Sequence, residues 1–291
     1  MKNLSLKVGP PWPVAFGLLA IVFLFGPLPS DAQTNNGLQF SLSPLNSSTQ
    51  AHTGGNGAPP SSAIPIPSGT ILPVVLRTPV SFEKCKAGQV LRGKIAQDVP
   101  LPNGSKIRKD STILGHVAEV APGANGAGTR VTIQFDKLDL EGQWVSIVTD
   151  LRAIAGFMTV IEAGIPEEAP NEGTPYNWLP TTQIGGDSVY GVRGPVMSSE
   201  DTSEIIGRST GDGVLAQVSA KEGSNCRGAI DGNNAPQALW VFSGDACGTY
   251  GIEHLKIDHA GRTDPKGMIV LASQTRKVEL RNGDGLLLRV D

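Results

Sequence analysis

Residues 112–120 read TILGHVAEV, which sets Ile113, Gly115, Val117 and Glu119 against Leu114, His116, Ala118 and Val120. Side chains of an extended strand point alternately to its two faces, so this period of two predicts a strand; a helix would repeat at three and four. Arg130–Phe135 repeats the pattern with Val131, Ile133 and Phe135 on one face. The phase slips at Asp136–Lys137 before Leu138 and Leu140 resume, which predicts a bulge or bend of the kind a barrel needs at its corners. Glu141-Gly142 then makes a two-residue hairpin turn into Trp144–Leu151, and Ile71–Thr78 and Gln89–Ala96 add shorter strands. With no long helical period in this stretch, residues 64–155 read as an all-β unit, a small N-terminal β-barrel.

Strands return at Gly213, as Val214–Ala220, Ala238–Ser243, Ile252–Asp258, Met268–Ser273, Lys277–Arg281 and Leu286–Val290. Asn282-Gly283-Asp284-Gly285 joins the last two as a tight turn. Ala238–Phe242 and Met268–Leu271 are apolar on both faces, which predicts central strands. Even spacing makes residues 213–291 a second domain, a β-sandwich or barrel-like fold. The 36 glycines fit many turns between short strands. Residues 156–212 read as an irregular connection, with Ser199–Ile206 either one helical turn or an acidic loop.

The chain starts with Lys2 and Lys7, an apolar run Val14–Phe25, a Gly26-Pro27 break and the small-x-small pattern Ser30-Asp31-Ala32. These predict a signal peptide over residues 1–32, cleaved near Ala32. The apolar stretch of about 13 residues falls short of the roughly 20 that span a bilayer as a helix, and no second stretch of spanning length follows. Residues 33–63, rich in Ser, Thr, Asn, Gly and Pro and nearly free of charge, read as a disordered linker. Removing residues 1–32 takes the formal charge from −3 to −4, which argues against nucleic-acid binding and polybasic membrane docking.

An exported chain meets an oxidising compartment, and this decides how Cys226 and Cys247 are read. A pair about 20 residues apart that brackets a hairpin-like segment is most simply a disulfide there. Zinc would need four ligands, and no C-x-x-C or histidine pair lies nearby. Cys85 is left over; its neighbours Lys84 and Lys86 would lower its pKa if they stayed close, against the plainer reading of a free, partly buried thiol.

The stretches IPSGTILPVVLRTPV, GQVLRGKIAQDVPLPNGSKIRKDSTILGHVAEV and RVTIQFDKLDLEGQWVSI together resemble the β-barrel module of the TrbI-like scaffold family of conjugation and type IV secretion machines. The pieces that carry the likeness are Gly69-Thr70, Gly88-Gln89, Asp98-Val99, Ser111-Thr112-Ile113-Leu114-Gly115 and Arg130-Val131, over about 90 residues. Lys109-Asp110 stands where the family has Pro-x-Gly. Members of the family carry a cytoplasmic segment, a membrane helix and a proline-rich spacer before the barrel, and a helical hairpin within it; this chain departs from both. The resemblance implies a secreted barrel that works by contact with an envelope protein partner. The C-terminal third also resembles uncharacterised bacterial secreted proteins, which implies no function.

Gly207-Arg208-Ser209-Thr210-Gly211 matches G-x-S-x-G, but that nucleophile elbow needs a strand before it and a helix after it, and a strand follows here. Only His254 and His259 lie downstream as bases. Their spacing of five puts them on opposite faces of a strand, which disfavours a shared metal. The densest polar cluster is Asp258, His259, Arg262 and Asp264, read first as a hydrogen-bonded loop and second as a ligand site. No catalytic set, metal site or cofactor is expected. The leading expectation is a non-enzymatic scaffold or binding protein of the envelope, periplasmic or secreted. Its alternative is a carbohydrate- or ligand-binding β-sandwich that stacks its ligand on Trp178, Trp240 or Tyr250, with polar help from Asp258, His259 and Arg262; a hydrolase using Ser209 or Cys85 ranks last.

Overall fold

The alternating runs fold as strands. A computed structural model describes residues 66–291 apart from 124–125, 127, 168–178, 192, 220–225, 227–234 and 276–277, and its regular structure is nearly all β. The proposed signal peptide and linker lie outside these residues. The first strands are β1 (Ile71–Leu76), β2 (Val80–Ser81), β3 (Val90–Ile95), β4 (Val99–Pro100), β5 (Lys106–Ile107), β6 (Thr112–Pro122), β7 (Thr129–Leu140), β8 (Gln143–Ser146) and β9 (Thr149–Ala155). A six-residue helix α1 (Phe157–Glu162) precedes β10 (Pro180–Thr182), β11 (Ser188–Tyr190), β12 (Pro195–Met197), β13 (Ile205–Thr210), β14 (Gly213–Ala216) and β15 (Gln237–Ala238). Then follow β16 (Gly248–Tyr250), β17 (Leu255–Asp258), β18 (Ile269–Ser273), β19 (Glu279–Leu280) and β20 (Gly285–Val290).

The main sheet runs β16-β9-β20-β1-β3-β6-β7-β18-β17, with β8 on the remaining edge of β7. Its end strands β16 and β17 are consecutive in the chain and touch, so the sheet curls into a nearly closed barrel. Across this seam the Thr249 hydroxyl donates to the Leu255 carbonyl at 2.9 Å, a side chain standing in for a backbone ladder. The slip read at Asp136 is a true bulge, since Leu114 faces Lys137 and Gly115 faces Phe135, leaving Asp136 without a partner position. The Glu141-Gly142 turn takes φ of 54° and 90°, both left-handed as a two-residue hairpin of this twist requires.

The strands divide differently from the boundaries read in the sequence. β20 lies between β1 and β9, and β18 lies on β7, so the barrel draws on residues 64–155 and 213–291 together. The second sheet, β10-β11-β12-β13-β14-β15, comes mostly from the stretch read as an irregular connection. Three of its strands have only three residues, too few for a period of two to register. Ser199–Ile206 forms no helical turn: Glu204 N donates to Asp201 O at 2.9 Å and β13 begins at Ile205. Nor do the last two strands pair with each other, because β19 joins β2 and β20 joins β1.

The apolar run Leu239–Phe242 is likewise a turn, not a central strand. Phe242 N donates to Leu239 O at 2.9 Å, and Trp240 takes φ of 55°. The run is apolar on both sides because it is enclosed between the two sheets. One core fills the barrel, around Leu72, Leu91, Ile113, Phe135, Leu271 and Leu288. A second lies outside the barrel wall, where Ile71, Ala153 and Leu287 meet Val196, Val214 and Phe242 of the other sheet and turn. β1, β9 and β20 therefore bury both faces.

Candidate functional site

Gln97, just after β3, holds the two sheets together. It is 1 % exposed, and its amide donates to Val214 O at 3.0 Å and Thr210 Oγ1 at 3.3 Å while its oxygen accepts from Trp240 N at 2.7 Å. A buried amide that meets all these partners stabilises; an unmet one would cost roughly 1–3 kcal/mol. Gly213 makes the close approach possible, because a Cβ there would lie 2.6 Å from Trp240 Cα. The Trp240 ring packs edge-on to Phe242 at 61° with centroids 6.5 Å apart.

Beside this junction lies a cleft of about 410 Å³ between β10–β11, the β13–β14 turn and Trp240. Apolar Leu179, Val189 and Val241 share it with Gln183, Ser209 and Asp212. Gln183 is 4 % exposed; its amide donates to Trp240 O at 3.4 Å, and its Oε1 has no hydrogen-bond partner among the described residues. Asp212, the charged residue here, is paired with Lys109 Nζ at 2.7 Å. Ser209 sits within β13, its hydroxyl 3.0 Å from Gly191 O and 3.3 Å from Gly194 O, both acceptors for its one proton. The G-x-S-x-G match therefore falls on strand, turn and strand, and no histidine among the described residues lines the cleft.

The other sequence candidates are dispersed. Trp178 lies outside the described residues. Tyr250, in β16, is half-buried; burial pushes its phenol pKa up, and its oxygen accepts from Cys247 N at 3.0 Å. Asp258 pairs with Arg130 at 3.0 Å beside a separate cleft of about 440 Å³. His259 takes φ of 56° and its carbonyl accepts from Arg262 N at 3.3 Å, so these two belong to the loop after β17. Trp240 and Asp258 thus share no cleft. Cys226 and Cys247 form the disulfide, with Cα atoms 5.6 Å apart, anchoring the residue before β16. Cys85 is a buried free thiol; burial raises its pKa against a smaller lowering from a backbone hydrogen bond, the opposite direction to the lowering expected from Lys84 and Lys86.

Sequence reasoning missed the surface of α1. Phe157, Met158, Ile161 and Ile165 are 44 %, 60 %, 41 % and 57 % exposed, and the helix has no buried residue. Its first N–H donates to the buried Asp284 carboxylate at 2.8 Å, which does the work of a cap that Gly156 cannot provide. Burial raises the Asp284 pKa although two backbone N–H groups oppose it. The signal was present in the apolar spacing of Phe157, Ile161 and Ile165, four apart at each step.

Among the described residues no helix is long and apolar enough to cross a membrane, and no group of three or more His, Cys, Asp or Glu is placed to hold a metal. The chain matches no protein-family model and none of the curated proteins.

Proposed function

We propose that this chain is a non-enzymatic scaffold or binding protein of the bacterial cell envelope, exported through residues 1–32 and acting in the periplasm or outside the cell. The observation that carries the reading is the surface of α1 and the turn after it, where four large apolar side chains stand in solvent on a body whose two sheets are bolted together at Gln97. Exposed apolar clusters mark sites of contact with other molecules. The Cys226–Cys247 disulfide supports an oxidising compartment. Support for the barrel analogy with TrbI-like scaffolds comes from three motif positions, Gly69, Gly88 and Asp110, which take φ of 84°, 83° and 66°; the aspartate adopts the left-handed turn where that family has glycine.

The test is site-specific photocrosslinking in intact cells. A photoreactive residue in place of Met158 is expected to yield a discrete adduct with an envelope protein, whereas one in place of Arg92, exposed on β3, yields none. Equal patterns from both positions, or no adduct from either, would remove the scaffold reading.

A further inference from the structure

Resting on the binding-protein reading above, we propose that the Trp240 cleft is a saccharide site that takes a neutral sugar. Its volume of about 410 Å³ lies within the range of small-ligand pockets, roughly 300–1,000 Å³. Three properties of its lining define the ligand. The cleft offers no free charge, because the Asp212 carboxylate is held by Lys109. A charged ligand would lose its hydration there without gaining a partner.

Its polar groups ask for donors. Gln183 Oε1 is an acceptor with no partner, on a side chain 96 % buried by its 4 % exposure. Ser209 spends its proton on a backbone carbonyl and keeps its acceptor positions, while Thr210 donates to Gly213 O at 3.0 Å and accepts from Gln97, which leaves it one lone pair to offer. The remaining walls are apolar, with Val189, Val241 and Trp240. A pyranose answers this set: hydroxyl donors around its edge and C–H groups on its faces. A wholly apolar ligand would leave the Gln183 oxygen as unmatched as it is without ligand, whereas a hydroxyl donor relieves it.

Binding requires the Gln183 amide to turn toward the cleft. The one hydrogen bond its side chain makes among the described residues, 3.4 Å to Trp240 O, is at the weak limit of hydrogen bonding, and terminal amide torsions are broad, so this turn is cheap.

The full mature chain is assayed against an array of neutral oligosaccharides and matched uronate-bearing ones, followed by calorimetric titration of the best neutral binder. Saturable binding of neutral sugars is expected, weakened about tenfold by Gln183→Leu, which removes the acceptor and keeps the volume. Gly211→Trp is expected to abolish binding by filling the rim; a Cβ there would meet nothing within 4 Å, so the backbone accepts a side chain and the variant folds even if the glutamine variant does not. The site assignment is overturned by the absence of neutral-sugar binding, by equal or tighter binding of the uronates, by affinity untouched in both variants, or by a sugar-soaked crystal with only water at Gln183. If sugar binding fails while the Met158 adduct persists, the ligand class falls and the scaffold reading stands; loss of both removes both.

Discussion

β9 and β20 are buried along their whole length, whereas β3 and β6 alternate between core and solvent. All four belong to one barrel sheet. The difference is what lies outside: the second sheet and its buried turn cover β9, β20 and β1, while β3 faces water. A barrel wall thus serves two cores where it is covered and one where it is not. The same outward position carries Leu287 on the covered side and the half-exposed Val90 on the open side. The amino acid a site tolerates is set by the neighbour across the wall, not by the strand's own geometry.

The sharpest way to break this contrast is charge. Leu287→Lys should cost more than about 4 kcal/mol, enough to unfold the protein or lower its denaturation midpoint severely, because the ammonium has no partner in the second core. Val90→Lys, at 52 % exposure, should stay within about 0.5 kcal/mol of the parent by urea titration. Equal losses would show that the covered and open walls are energetically alike.

An intermediate effect is expected at the bolt between the sheets. Gln97→Leu leaves Trp240 N without its partner, while Val214 O keeps the Leu239 N–H at 3.0 Å, and should cost about 1–3 kcal/mol. Cleavage within residues 239–242 under limited proteolysis should speed up before the barrel itself opens; cleavage at the parent rate would mean that apolar packing alone fixes the second sheet.

The smallest effect concerns the open side and pH. Lys106 and the Lys109 backbone N–H hold the Asp98 carboxylate below its ordinary pKa. Its folded pKa lies below the unfolded one, so its contribution is present above the unfolded value and is lost as pH falls through the folded one. Both partners are largely exposed, which screens the gain. Asp98→Asn should therefore make the fall in melting temperature between about pH 5 and pH 3 slightly shallower, and a steeper fall would contradict the assignment. Asp284 has the opposite sign, since burial raises its pKa and protonation on acidification relieves a penalty.

The sequence revealed β6 and β7 through their alternation, β18 through its run of apolar residues, and the Asp136 bulge through a broken phase. Topology was not legible, because pairing between β1 and β20 is a property of residues more than 200 positions apart and leaves no local mark. The short strands of the second sheet fall below the length at which a period can be detected. Leu239–Phe242 misled for a physical reason: full burial makes a turn look like a central strand. At the cleft, Trp240 and Ser209 were visible as residue types, but Gln183 and Gln97 were not, since a glutamine acquires its role from the partners that burial gives or denies it.

β20 takes its place between β1 and β9 from the far end of the described chain. A ribosome adding about 5–20 residues per second leaves β1 waiting about 10–40 s for that neighbour. During that interval the covered wall cannot assemble, so the nascent chain lacks a finished fold that would resist being threaded through a narrow pore. A topology that postpones its own completion keeps the polypeptide pliant for as long as it is being made.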